Sequence, residues 1–313
     1  MSRLTRENFT GPWAGLPVAW TDDDQLDLDA YRQDVESCCR AGVPGVYTGG
    51  TTGEFYAMDW DEFCQVSRVT VETCREHDIP TMIGCSSTYT RGAVERAAFA
   101  AKIGADAVQL ALPFWMELPT EQVLAFFREV GQASGDLAIS VYETMRTKRA
   151  LTLEEHQAIK QDLPRYLMLK ANAGTLGCTA DGCRALSELV NVFVGESLWS
   201  SLGPHGALGC CSSMIYWNPE VTLGFWKEVA AGNWDEVERI HQKVGPLFEF
   251  LDTEYSVRGF TDTAYDRMGG LASGFLVTSL RNRGPYLSPT EADVALLRDW
   301  YQQHLPEMIV RQE

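Results

Sequence analysis

The sequence predicts an α/β protein: a (β/α)8 TIM barrel with a C-terminal helical extension. Three observations predict it. Short apolar, β-prone runs recur, and each is followed by a stretch of helical periodicity. The 313 residues exceed the about 250 that one such barrel needs, so an appendage fits and a second full domain does not. From about Trp234 the pattern becomes helical only. The expected division is therefore residues 1–232 for the barrel and 233–313 for the extension.

The expected strands are Gly15–Trp20, Gly45–Thr48, Thr81–Gly84, Ala107–Leu112, Ala138–Tyr142, Tyr166–Lys170, Val192–Val194 and Ala207–Cys211. The expected helices between them are Asp29–Ala41, Asp59–Glu76, Arg91–Ile103, Thr120–Ala133, Thr152–Gln161 and Asp181–Leu189. After Val194 the chain offers only a short turn near Leu198–Leu202, and Pro219–Ala231 follows the last strand. This alternation implies parallel βαβ units, closed into a barrel or, as the alternative, laid out as an open doubly wound sheet. No Gly-x-Gly-x-x-Gly follows the first strand, which disfavours a dinucleotide-binding sheet. In the extension, Trp234–Phe250, Val257–Leu276 and Thr290–His304 read as helices, with Gly284-Pro285 as a breaker. Thr290-Glu291-Ala292-Asp293 is a start like a capping box, with Asp in the fourth place.

A net charge of −17 repels phosphate backbones and anionic lipid, so neither nucleic acid nor a membrane is expected as a partner. Nine cysteines, an odd number with adjacent pairs, do not form a secreted disulfide framework; reduced, mostly buried thiols are expected. The five histidines do not cluster, and no metal is expected. The start of the chain lacks the apolar core of a signal peptide, and a soluble, cytoplasmic protein is expected.

Residues with chemistry fall at strand ends, where a barrel of this kind places its site. Lys170 ends the run Tyr-Leu-Met-Leu-Lys. Desolvation there favours the neutral amine, a nucleophile toward a ketone, although a lysine at a strand end also simply reaches for water. Tyr142 ends the preceding strand, about 4.8 Å away, as a proton carrier or as a plain lining residue. Gly49-Gly50-Thr51-Thr52-Gly53-Glu54 offers hydroxyls and exposed N–H groups suited to a carboxylate, or is an ordinary βα turn.

With these pieces in order, the chain resembles the dihydrodipicolinate synthase/N-acetylneuraminate lyase family. Gly50-Thr51-Thr52-Gly53-Glu54, then Tyr142, then Lys170 before Ala-Asn-Ala-Gly, and Pro204-His205-Gly206-Ala207-Leu208-Gly209 carry the resemblance. It implies a class I lyase in which Lys170 forms a Schiff base with a 2-oxo acid of the pyruvate type, with no cofactor. It implies proton transfer by Tyr142, which Thr51 hydrogen-bonds, and a carboxylate held by Thr52 and the N–H groups around Gly53. It implies that Gly195 and Leu208 line the bound pyruvyl unit, and that Arg146 holds a distal carboxylate, with Lys148 or Arg149 as substitutes. A homotetramer, as a dimer of dimers, or a homodimer is implied as well.

Departures narrow the reading. Where dihydrodipicolinate synthases carry Pro-Tyr-Tyr, this chain has Pro113-Phe114-Trp115, which removes a hydroxyl from their proton relay and argues against that activity. Pro-Phe-Trp is similar to the hydratase-aldolases of the family, and the glycine-rich turn is similar to its sugar-acid dehydratases. Carbon–carbon lyase, dehydratase of a 2-keto-3-deoxy sugar acid, and non-catalytic 2-oxo-acid binder therefore stand as the expectations.

Overall fold

The computed structural model describes residues 3–311. Eight strands run in chain order around a closed barrel: β1 Gly11–Gly15, β2 Val46–Thr48, β3 Thr81–Gly84, β4 Ala107–Leu110, β5 Ala138–Tyr142, β6 Tyr166–Lys170, β7 Asn191–Phe193 and β8 Ala207–Ser212. β1 pairs with β2, and β3 through β8 pair successively, all in parallel. The connecting helices are α1 Leu28–Arg40, α2 Trp60–Glu76, α3 Thr90–Ile103, α4 Thr120–Ala133, α5 Leu153–Asp162, α6 Ala180–Ser187, α7 Trp199–Leu202 and α8 Pro219–Ala231. Three more helices follow, α9 Trp234–Glu254, α10 Asp262–Ser273 and α11 Glu291–His304. This is the (β/α)8 barrel that the sequence predicts.

The chain forms two compact units. Among the described residues, one holds 3–13 together with Pro80–Cys211; the other holds Ala14–Ile79 together with 212–311. In the first unit the strands are largely apolar and buried, with Gln109, Ser140 and Asn191 as buried polar residues among them. Val108, Leu110, Ile139, Met168, Leu169, Val192 and Phe193 are fully buried there. In the second unit, α1 and α2 pack through Tyr31, Val35, Val66 and Thr70, with the Tyr31 phenol 2.8 Å from the Thr70 hydroxyl.

Helix starts follow local chemistry. Asp59 and Glu62 form a capping box at α2, Thr152 and Glu155 at α5, and Thr290 and Asp293 at α11, the last as the sequence predicts. Each cap satisfies amides that the first turn leaves open, worth about 1 kcal/mol.

Two elements differ from expectation. The first strand is Gly11–Gly15, not Gly15–Trp20. Pro17 supplies no N–H and disfavours a continuing ladder, yet Leu16, Val18, Ala19 and Trp20 are all buried, so apolarity alone misplaced the strand. The helix expected over Val257–Leu276 is a single turn, Ser256–Arg258, and then α10. Gly259 sits between them at φ +86°, a left-handed conformation that ends the turn.

Candidate active site

In the first unit, the parallel register makes Tyr142 and Lys170 direct neighbours at the ends of β5 and β6. The Lys170 Nζ lies 4.2 Å from the centroid of the Tyr142 ring. Tyr142 is buried and Lys170 half-buried, so the amine lies against the phenol face rather than extended into water. The ladder continues past both side chains: the Glu143 amide donates to the Lys170 carbonyl at 2.9 Å, and the Ala171 amide to the Phe193 carbonyl at 2.8 Å. The same level of the sheet runs on through Phe193, paired with Lys170, to Gly209, paired with Phe193. A Cβ on Gly209 would lie 2.6 Å from the Phe193 ring and 2.7 Å from the Gly11 carbonyl oxygen, so only glycine lets β8 approach here.

Gly195 follows β7, and a Cβ there would meet only Ser197 Oγ, at 3.7 Å. Leu208 on β8 is 38% exposed. Glu196, next to Gly195, and Cys210 on β8 are buried. Burial pushes the Cys210 thiol well up, the Glu196 charge pushes the same way, and Lys170 opposes them. Glu196 is thus a carboxylate of the Lys170 neighbourhood that the sequence marked only as the residue after Gly195.

The loop after Tyr142 is fixed by a buried chain that the sequence did not reveal. Glu143 Oε1 accepts from the Leu151 amide at 2.7 Å, and its Oε2 is 3.4 Å from His156 Nε2. His156 Nδ1 is 2.9 Å from the Tyr166 hydroxyl, and the Asn172 amide donates to the Glu143 carbonyl at 2.8 Å. Arg146 is exposed on the 3-10 turn Met145–Thr147 of this loop. Arg149, further along the loop, is held by its own contacts. Its guanidinium donates to the Ala150 and Leu118 carbonyls at 3.2 and 2.9 Å and pairs with Glu155, which ties the loop to the segment before α4 and to α5. His205, the histidine nearest a strand end, is 2.7 Å from an Arg184 nitrogen through Nδ1. Among the described residues, no three His, Cys, Asp or Glu side chains gather as metal ligands.

In the second unit, the turn after β2 is closed by the Glu54 amide on the Thr51 carbonyl at 3.0 Å and the Phe55 amide on the Gly50 carbonyl at 3.4 Å. A Cβ on Gly53 would sit 2.8 Å from the Gly49 nitrogen, so the turn needs glycine there. Thr51 is half-buried. Thr52 is buried, and its hydroxyl donates to Asp266 Oδ2 at 2.6 Å. Glu54 is fully buried at φ +47°, where it accepts from Trp20 Nε1 at 2.9 Å, from the Arg283 amide at 3.0 Å, and from Arg267. Arg267, also fully buried, reaches Asn282, Thr278 and the carbonyls of Val18 and Ser279. Successive residues of α10 thus grip alternate residues of the turn.

Fold and site define a class: a parallel eight-stranded barrel with a lysine amine over a tyrosine ring at the C-terminal ends of neighbouring strands. The chain belongs to the dihydrodipicolinate synthetase family, whose model matches residues 8–286. Members of this family are lyases, aldolases and synthases among them. The chain is 26% identical over 250 residues to a 4-hydroxy-tetrahydrodipicolinate synthase of Maridesulfovibrio salexigens, covering 79% of this chain and 84% of the relative. It is 29% identical over 171 residues to a trans-O-hydroxybenzylidenepyruvate hydratase-aldolase of Pseudomonas aeruginosa, covering 52% of this chain and 48% of that one. The crystal structure of dihydrodipicolinate synthase from Aquifex aeolicus superposes with a TM-score of 0.84 at 19% identity, covering 97% of this chain and all of that one, which is a likeness of fold. No helix of the described residues is long and apolar enough to cross a membrane.

Proposed function

We propose that the protein is a carbon–carbon lyase that forms a Schiff base between Lys170 and a 2-oxo acid of the pyruvate type. The observation that carries this reading is the Lys170 amine 4.2 Å from the Tyr142 ring centroid, at paired strand ends. The neutral amine attacks the ketone carbon, and the carbinolamine loses water to give an iminium, with Tyr142 donating the proton that leaves with the hydroxyl. The resulting phenolate takes the proton of a 4-hydroxyl as the C3–C4 bond breaks. Its electron pair moves through C3 to the iminium nitrogen. Protonation at C3 and hydrolysis then release pyruvate and the free amine. The iminium is itself the electron sink, so the scheme calls for no metal or organic cofactor.

The family resemblance supports the remaining roles. Thr51 orients Tyr142; Thr52 and the amides around Gly53 take the carboxylate; Gly195 and Leu208 line the pyruvyl unit; exposed Arg146 receives a distal carboxylate. Assembly as a homotetramer or homodimer in the cytoplasm belongs to the same reading. The exposed pair Trp115 and Met116, at 76% and 70%, supports an interface at the end of β4. The family's hydratase-aldolase relatives, together with Phe114 and Trp115 in place of hydroxyls, favour an aldol cleavage over dipicolinate synthesis. A panel of 4-hydroxy-2-oxo acids, assayed for released pyruvate, tests it. Pyruvate release that Lys170→Ala abolishes is the expected result. Loss of water without pyruvate release would replace the lyase by a dehydratase, and turnover by the alanine variant would remove the Schiff base altogether.

A further inference from the structure

We propose that Asp266 is a positioning residue that sets how the 51–54 turn receives an anionic substrate: it draws the Thr52 hydroxyl to itself when ionised and releases it to the substrate carboxylate when protonated. This rests on the proposed function in one respect, that Thr52 meets the carboxylate.

The geometry leaves few options. Thr52 has one hydroxyl proton, and it lies on the 2.6 Å contact with Asp266 Oδ2. An ionised carboxylate only accepts, so while Asp266 is charged that proton is unavailable to a ligand. An incoming carboxylate would also face a second anion across one hydroxyl, and like charges in a buried place disfavour double ionisation. A protonated Asp266 reverses the bond. It donates to Thr52 Oγ1, and the hydroxyl proton turns to the ligand.

Asp266 is held for this role. Its carbonyl accepts from Trp217 Nε1 at 3.2 Å, and the Trp217 indole packs so closely on Gly269 that a Cβ there would be 2.2 Å from the ring. Burial pushes the Asp266 carboxyl up to about 6, against the lowering effect of the Ser213 and Thr52 hydroxyls and of the nearby Tyr216 phenol. On its own helix, Asp262 pushes the same way as burial, and Arg267 is engaged with Glu54. From the segment after β8, Ser213 and Tyr216 face it, and burial holds the Tyr216 phenol well above its usual range, hence neutral. Protonation is therefore accessible near neutral pH.

Asp266→Asn tests the inference. The amide is isosteric and always donates to Thr52 Oγ1, so it mimics the protonated acid. The readout is the half-saturating concentration of pyruvate for the borohydride-trapped adduct at Lys170, from pH 5 to 8. In the wild type this concentration rises with pH more steeply than in the variant, and at pH 8 the variant binds pyruvate about tenfold more tightly. A purely structural Asp266 gives the opposite, a folded variant that binds more weakly at every pH; that result, or parallel profiles, overturns the inference while trapping upholds the proposed function. In Thr52→Val, Asp266→Asn has no further effect on binding. Infrared difference spectra of the wild type with isotope-labelled pyruvate provide a check that needs no variant. A carboxylic-acid band gained on binding supports proton uptake by Asp266, and its absence contradicts it. A wild type that traps no pyruvate removes the proposed function, and the inference with it.

Discussion

At the scale of single residues, the chemistry concentrates in one pair. Lys170→Ala is expected to abolish pyruvate release while changing stability by no more than about 1–2 kcal/mol, since one half-buried amine is lost; chemical denaturation beside the rate assay checks both. Tyr142→Phe keeps the ring under the amine but loses the proton carrier. It should lower kcat by about 10²–10⁴-fold with the Lys170 adduct still trappable, and an unchanged kcat would remove Tyr142 from proton transfer. Both residues were legible in the sequence because each closes an apolar run, a place where a phenol or an amine is out of pattern. Thr52 was legible, but its partner was not. Asp266 lies far along the chain, and no local spacing joins it to the turn. The available signal was an Asp-Arg pair, Asp266-Arg267, inside a stretch of Ala, Met and Gly. Glu143 and His156 were hidden in the same way, since a buried glutamate after a strand reads as a loop residue until its histidine is seen beside it.

At the scale of elements, α10 is a structural part of the turn after β2. Arg267 and Glu54 are both fully buried and paired. Removing one leaves the other charged without its partner, so Arg267→Ala is expected to cost about 3–5 kcal/mol, measured by urea unfolding. A loss below about 1 kcal/mol would mean that water replaces the guanidinium. On β8, Gly209→Ala forces a methyl group against the Phe193 ring and should cost about 1–3 kcal/mol. Because Phe193 is paired with Lys170, the same variant should also slow adduct formation. The sequence located most elements because strand runs and capping residues are local signals. It misplaced β1 because the segment after Gly15 is buried without being a strand, and Pro17 outweighed the apolar pattern. It fused α10 with the turn before it because Gly259 interrupts a helix without interrupting its periodicity.

At the scale of the whole molecule, titration of buried carboxyls shapes stability. Burial pushes Asp34 up to about 7, against hydrogen bonds from the Val277 and Thr278 amides. The folded chain keeps a proton that the unfolded chain releases from about pH 4 upward. The contribution of Asp34 is therefore full below that pH and lost as pH rises through 7. Asp266 acts in the same sense, through about 6. Glu155 and Asp293 act in the opposite sense. Against burial, hydrogen bonds from Thr120 and Thr152 and the pair with Arg149 hold Glu155 low, and Thr290 with Arg258 holds Asp293 low, so their contributions disappear on acidification. Stability should thus peak on the acid side of neutrality and decline toward pH 8, and the net charge of −17 adds self-repulsion to the decline. Asp34→Asn keeps the acceptor for the Val277 amide at 2.7 Å and loses the charge. It should flatten the decline and stabilise the protein at pH 8 by roughly 1–3 kcal/mol, read from thermal midpoints across pH. An unchanged profile would move the cause elsewhere.

The central claim concerns one bond, between the Lys170 nitrogen and the ketone carbon of a 2-oxo acid. Incubation with pyruvate and borohydride, followed by mass spectrometry of the peptide that carries Lys170, tests it most directly. A reduced pyruvyl adduct on that lysine, absent without pyruvate and absent in Lys170→Ala, is the expected result. A folded protein whose Lys170 peptide stays unmodified would contradict the claim.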